Sequence, residues 1–138
     1  MTDISGAQPR ALTPEGQTRG SLSPDGNYFL SAQATGKARL YPTAGGEAQE
    51  VAVAAGERVA GWSLDGQDVF VFTRGGVPAK VYRVKWKSGH RELMRKVAPA
   101  DRAGIDGVES IHITPDGQTY TYSCVQTLSD LHLVEGLR

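Results

Sequence analysis

Short apolar runs of four or five residues alternate along this chain with polar breaks that carry glycine. Apolar positions nowhere recur at i, i+3 and i+4 for three turns, as an amphipathic helix requires. The best helical stretch, residues 91–100, contains Pro99 and fits a strand followed by a loop equally well. The runs are rich in aromatic and β-branched residues, as strands prefer. Residues 28–31, 69–72 and 120–124 are the clearest, and Val69-Phe70-Val71-Phe72 is apolar at every position. A strand covered on one face alternates apolar with polar, so this run predicts neighbours on both of its faces.

Three of these runs follow near-copies of one turn, Ser23-Pro24-Asp25-Gly26, Ser63-Leu64-Asp65-Gly66 and Thr114-Pro115-Asp116-Gly117, at offsets of 40 and then 51 residues. Proline presets φ at the second turn position, aspartate bonds to nearby amides, and glycine accepts positive φ. Leu64 replaces proline in the middle copy, which predicts a less rigid turn that keeps its Asp25-Gly26-like pair at Asp65-Gly66. Alignment on the Asp-Gly pairs gives a strand A before each turn, a strand B after it, and a strand C near Tyr41, Tyr82 and His132. A strand D follows at residues 49–53 and 91–94. An all-strand repeat of roughly 40–45 residues marks a β-propeller blade. The predicted fold is therefore all-β, with three four-stranded antiparallel blades forming a partial propeller or half of an oligomeric one. The expected boundaries are an orphan strand D at 1–14, blades at 15–54 and 55–96, an inter-blade loop at 97–107, and a last blade at 108–138 lacking strand D. Three blades fall short of the roughly four to eight that close a ring, so either further blades or a second copy would complete it.

Composition narrows the partners. Seventeen glycines and seven prolines suit a turn-rich fold. Fifteen basic residues balance fifteen acidic ones, without the basic excess of a nucleic-acid binder. No apolar run approaches the roughly 20 residues that span a bilayer, and the polar opening Met1 to Gly6 has no charged-then-apolar leader pattern. We expect a soluble segment whose compartment the sequence leaves open. The single Cys124 excludes an internal disulfide and a cysteine metal cluster.

The Ser-Pro-Asp-Gly turn, the strand C and the Gly45-Gly46 hairpin resemble the TolB-type, WD-like propeller repeat. Residues 114–123, followed by Leu128-Ser129-Asp130-Leu131-His132-Leu133-Val134-Glu135-Gly136-Leu137, resemble the closing blade of bacterial propellers. Those propellers often follow a eukaryotic-type serine/threonine kinase domain or a winged-helix regulator. The resemblance covers nearly the whole chain and implies a non-catalytic scaffold for protein or ligand recognition, with the propeller part of a hydrolase or peptidase as the alternative. His132 stands where the repeat more often has tyrosine, as at Tyr41 and Tyr82. The glycine-rich loop, His-Arg-Asp and Asp-Phe-Gly signatures of a kinase do not occur.

Candidate chemistry is sparse. Ser129, Asp130 and His132 lie within four residues of one another, whereas a triad needs its base to reach the nucleophile from another element. We read them as corner and packing residues. His90, His112 and His132 have no ligand spacing. Asp25, Asp65 and Asp116 offer one carboxylate per turn, where calcium wants several oxygens from one loop, so turn capping with Gly26, Gly66 and Gly117 is their expected role. No metal and no cofactor is expected. In residues 80–87, Tyr82, Val84 and Trp86 share one strand face, and Val81, Arg83, Lys85 and Lys87 the other. The basic face fits a solvated blade edge, where lysine deters strand-to-strand aggregation. The loop at 97–107 takes up most of the eleven-residue excess between the two turn spacings (51 against 40). Long loops often carry function, which makes Pro99, Asp101, Arg102 and Asp106 the candidate partner-binding residues; the alternative is a difference in loop length that costs little, because closure entropy rises slowly with length.

Overall fold

The computed structural model describes residues 8–15, 19–32, 37–131, 133 and 136. Ten strands succeed one another, with no helix among the described residues. They are β1 (Arg19–Leu22), β2 (Tyr28–Ala32), β3 (Ala38–Pro42), β4 (Gln49–Val51) and β5 (Glu57–Trp62), then β6 (Asp68–Thr73), β7 (Ala79–Lys85), β8 (Arg91–Val97), β9 (Ile105–Ile113) and β10 (Tyr120–Gln126). Three antiparallel sheets result, ordered β1-β2-β3-β4, β5-β6-β7-β8 and the pair β9–β10. Having no helix, the described residues offer none long and apolar enough to cross a membrane.

The middle sheet is covered on both faces, as its β6 run predicts. Val69 and Val71 join Leu30, Leu40 and Val51 of the first sheet in one buried cluster, together with Trp62, Val84 and Trp86. Phe70 and Phe72 point the other way and join Val108, Ile111 and Ile113 of β9. Alternation along one strand thus ties three sheets together in chain order. Each fully buried valine or phenylalanine contributes about 1.5–3 kcal/mol.

Polar contacts fix how the sheets meet. Trp62 Nε1 donates to Ser21 Oγ at 3.1 Å, joining β5 to β1. Glu57, 7% exposed, accepts from the Ala54 amide at 2.8 Å and from both terminal nitrogens of Arg91. That pair links the two edge strands of the middle sheet, with the Arg91 guanidinium 4.6 Å above the Tyr82 ring. Glu57 raises the Arg91 pKa, chiefly by hydrogen bonding. At Gly61, which follows a bulge in β5, β9 comes so near that an added Cβ would lie 2.8 Å from the Ile113 carbonyl oxygen.

Three expectations change. Among the described residues the third sheet has two strands where three were expected, and Leu131 and Leu133 lie in no strand, 98% and 81% exposed. His132, the centre of the expected strand C, falls outside the described residues. Residues 8–14, within the expected orphan strand D, lie in no strand among the described residues; residues 1–7 lie outside the described ones. The loop expected at 97–107 shrinks to 98–104, since Val97 closes β8 and Ile105, Asp106 and Gly107 open β9.

Gly61→Ala should cost about 1–3 kcal/mol in chemical denaturation, the range for overpacking. Gly76→Ala should stay within about 0.5 kcal/mol, because its nearest atom, the Pro78 carbonyl oxygen, would sit at an ordinary 3.7 Å.

Candidate functional site

The three turns share one set of bonds. In each, the carboxylate accepts from the hydroxyl two residues earlier: Ser23 to Asp25 at 2.5 Å, Ser63 to Asp65 at 2.6 Å and Thr114 to Asp116 at 2.5 Å. It also accepts the amide two residues later, from Asn27, Gln67 and Gln118 at 3.1, 3.1 and 2.9 Å. The hydroxyl oxygen in turn accepts the amide five residues on, from Tyr28, Asp68 and Thr119 at 3.0, 2.9 and 3.1 Å. Gly26, Gly66 and Gly117 take φ of 72°, 67° and 72°, the left-handed region that glycine enters without penalty. The turn-capping role expected for Asp25, Asp65 and Asp116 is what these bonds describe.

The turns stand side by side. A Cβ on Gly66 would lie 3.8 Å from Pro24 Cδ, and the Leu64 amide donates to the Pro115 carbonyl at 2.9 Å. Proline at position 64 has no hydrogen to give, so the departure from the repeat supplies a tie between the second and third turns. Trp86 braces the second turn from within its own sheet, donating from Nε1 to the Gly66 carbonyl at 2.9 Å. Antiparallel connections alternate between sheet ends, so these turns and the β3–β4 and β7–β8 hairpins share one rim. Residues 98–104 lie at the opposite one.

Two clefts open on the turn rim. One, of about 320 Å³, lies between the second and third turns and is lined by Leu64, Asp65, Arg83, Pro115 and Asp116. The other, of about 580 Å³, lies between the second turn and the β7–β8 hairpin. Its carboxylates are Asp65, Asp68 and Glu92, and its cations are Arg83, Lys85 and Lys87. Asp68 is 3% exposed, and its Oδ2 accepts from Arg83 Nε at 2.5 Å. The buried Oδ1 accepts no hydrogen bond from any of the described residues. The β7 faces divide as expected, with Val84 and Trp86 buried and Arg83, Lys85 and Lys87 exposed. Asp68 and Glu92 went unnoticed in the sequence, although their spacing from Arg83 places all three on neighbouring strands, with Glu92 directly opposite Arg83.

The residues expected to bind on the 97–107 loop are differently employed. Asp101 accepts the Ala103 amide at 2.9 Å and so caps its own turn. Asp106 lies on β9 and accepts from Thr127 Oγ1, while the Thr127 amide donates to the Gly104 carbonyl at 2.8 Å. Pro99 is half-buried and Arg102 exposed. Asp101 and Asp106 are thus both engaged within this rim. Ser129 and Asp130 are exposed outside any strand, with His132 outside the described residues. His90 and His112 lie apart, in a hairpin and on β9, and no three His, Cys, Asp or Glu side chains converge as metal ligands among the described residues.

No family model and no curated protein matches the chain.

Hydrogen bonding, first from the turn hydroxyl and then from the amide, holds the pKa of Asp25, Asp65 and Asp116 below the ordinary 3.8. A depressed carboxylate stabilises the fold above its unfolded pKa, and that stability is lost as pH falls through the folded value. Asp25→Asn, Asp65→Asn and Asp116→Asn keep an acceptor but cannot ionise. Their melting temperatures should fall below the parent's at pH 6, and the gap should close as pH drops below about 3.5. A gap independent of pH would contradict this assignment.

Proposed function

We propose that this chain is a non-catalytic recognition scaffold, a segment of a β-propeller of the TolB-like, WD-like kind that serves as an interaction or sensing module of a bacterial signalling protein. Its ligand, a protein segment or small molecule, is held by groups at the sheet ends and not transformed. The supporting observation is the alignment of three equivalent Asp-Gly turns on one rim, where neighbouring turns are bonded through Leu64 and Pro115. Such a rim is rigid and polar. It presents fixed donors and acceptors in a charge-lined cleft of about 580 Å³, within the size range of ligand sites. Sheets stacked only on their neighbours are the architecture of repeat scaffolds, which bind along the surfaces that repetition creates. A second copy stacked on the outer face of the first or third sheet would extend the same series toward a ring.

The purified chain should show no turnover on a panel of fluorogenic esters and peptides. Hydrolysis above buffer that disappears in Ser129→Ala would overturn the scaffold reading in favour of a hydrolase fragment.

A further inference from the structure

We propose that the rim opposite the turns binds a phosphate monoester, with Arg58 at the centre of the site and Arg19 and Arg74 beside it. This site lies apart from the turn rim, so the inference goes beyond the ligand that rim takes and does not depend on it. The register brings the three arginines together. Arg58 on β5 opposes Phe72, and the Arg74 amide, just past β6, donates to the Gly56 carbonyl at 2.9 Å. The two arginines are therefore diagonal neighbours on one sheet face, a separation of roughly 7 Å. Arg19 opens β1 on the same strand face as Ser21, which accepts from Trp62 of β5, so Arg19 too is turned toward the middle sheet.

Charge at this edge is unbalanced. The carboxylate acting on Arg58 is Glu109 of β9. Arg74 already engages it, with Nε at 2.9 Å and a terminal nitrogen at 2.6 Å, both on Oε2. The guanidiniums of Arg19 and Arg58 donate no hydrogen bond among the described residues. Loss of water, and then the charges of Arg74 and Arg19, hold the Arg58 pKa below its ordinary value, with Glu109 acting in the opposite sense. Three guanidiniums against one carboxylate leave two positive charges unmatched. A phosphate monoester carries close to two negative charges at pH 7, and its oxygens fit the guanidinium fork in pairs. A carboxylate or a phosphodiester brings a single charge. Arg58 is half-buried and Arg19 and Arg74 are exposed, so a ligand arriving from solvent reaches all three.

The test titrates the whole isotope-labelled chain at neutral pH and fixed ionic strength, following arginine Nε–H and backbone amide shifts. The dianions are N-acetyl-phosphoserine-amide and glycerol phosphate; the monoanions are dimethyl phosphate and acetate. Each monoester should shift Arg19 and Arg58 and bind at least about tenfold more tightly than either monoanion. The tighter monoester distinguishes a modified side chain from a small metabolite as the source, and either supports the site. Arg58→Gln and Arg19→Gln should each weaken monoester binding about tenfold, the loss of one charged hydrogen bond. Lys96→Gln, on β8 at the far edge of the same sheet, should leave it unchanged. Arg19 is exposed, so its variant decides the matter even if Arg58→Gln fails to fold. Absence of shifts at Arg19 and Arg58, equal binding of a monoanion, or unchanged binding by either arginine variant would each overturn the proposal.

Discussion

The two-faced burial of β6 is the constraint on which the rest of this structure depends. Val69 and Val71 hold the first sheet, and Phe70 and Phe72 hold β9 and its partner. A strand has only two faces, and here both are used for packing between sheets. Neither outer sheet touches the other's buried cluster, so the three form a series in which each element is stabilised by its neighbours. The turn rim exists because of this stacking. The bond from Leu64 to Pro115 can form only once the middle sheet and the β9–β10 pair lie face to face.

Charge follows the same geometry. The face of β7 toward the third sheet begins apolar at Val81 and ends in Arg83 and Lys85, where β9 and β10 give no cover. Burial at one end of the strand and solvation at the other leave the cleft at their boundary. Asp68 lies on this boundary, deep enough to lose water from Oδ1 yet close enough to Arg83 to remain paired on Oδ2. A half-satisfied buried carboxylate is costly to keep.

Much of the fold was legible because its signals are local. The Ser/Thr, Asp and Gly of each turn bond within six residues, so their types and spacing already contain the geometry. The apolar run at 69–72 announced covered faces in the same way, and the alternation at 82–87 separated the buried from the basic side of β7. The missed features all depend on partners distant in sequence. Asp68 reads as a polar residue ending a turn, and its burial becomes visible only through Arg83, fifteen positions later. Leu64 reads as a weakened turn until Pro115 comes opposite its amide. Asp106 reads as part of a long loop because the β9 ladder reaches it only through Gln126, its neighbour's partner at the far end of β10.

Native-state hydrogen exchange on Phe70→Ala and Val71→Ala tests the serial stacking most directly. Phe70→Ala should lower protection in β9 and β10 more than in β2 and β3, and Val71→Ala should do the reverse, as nearest-neighbour coupling requires. Equal loss of protection in both outer sheets from either variant would contradict the account.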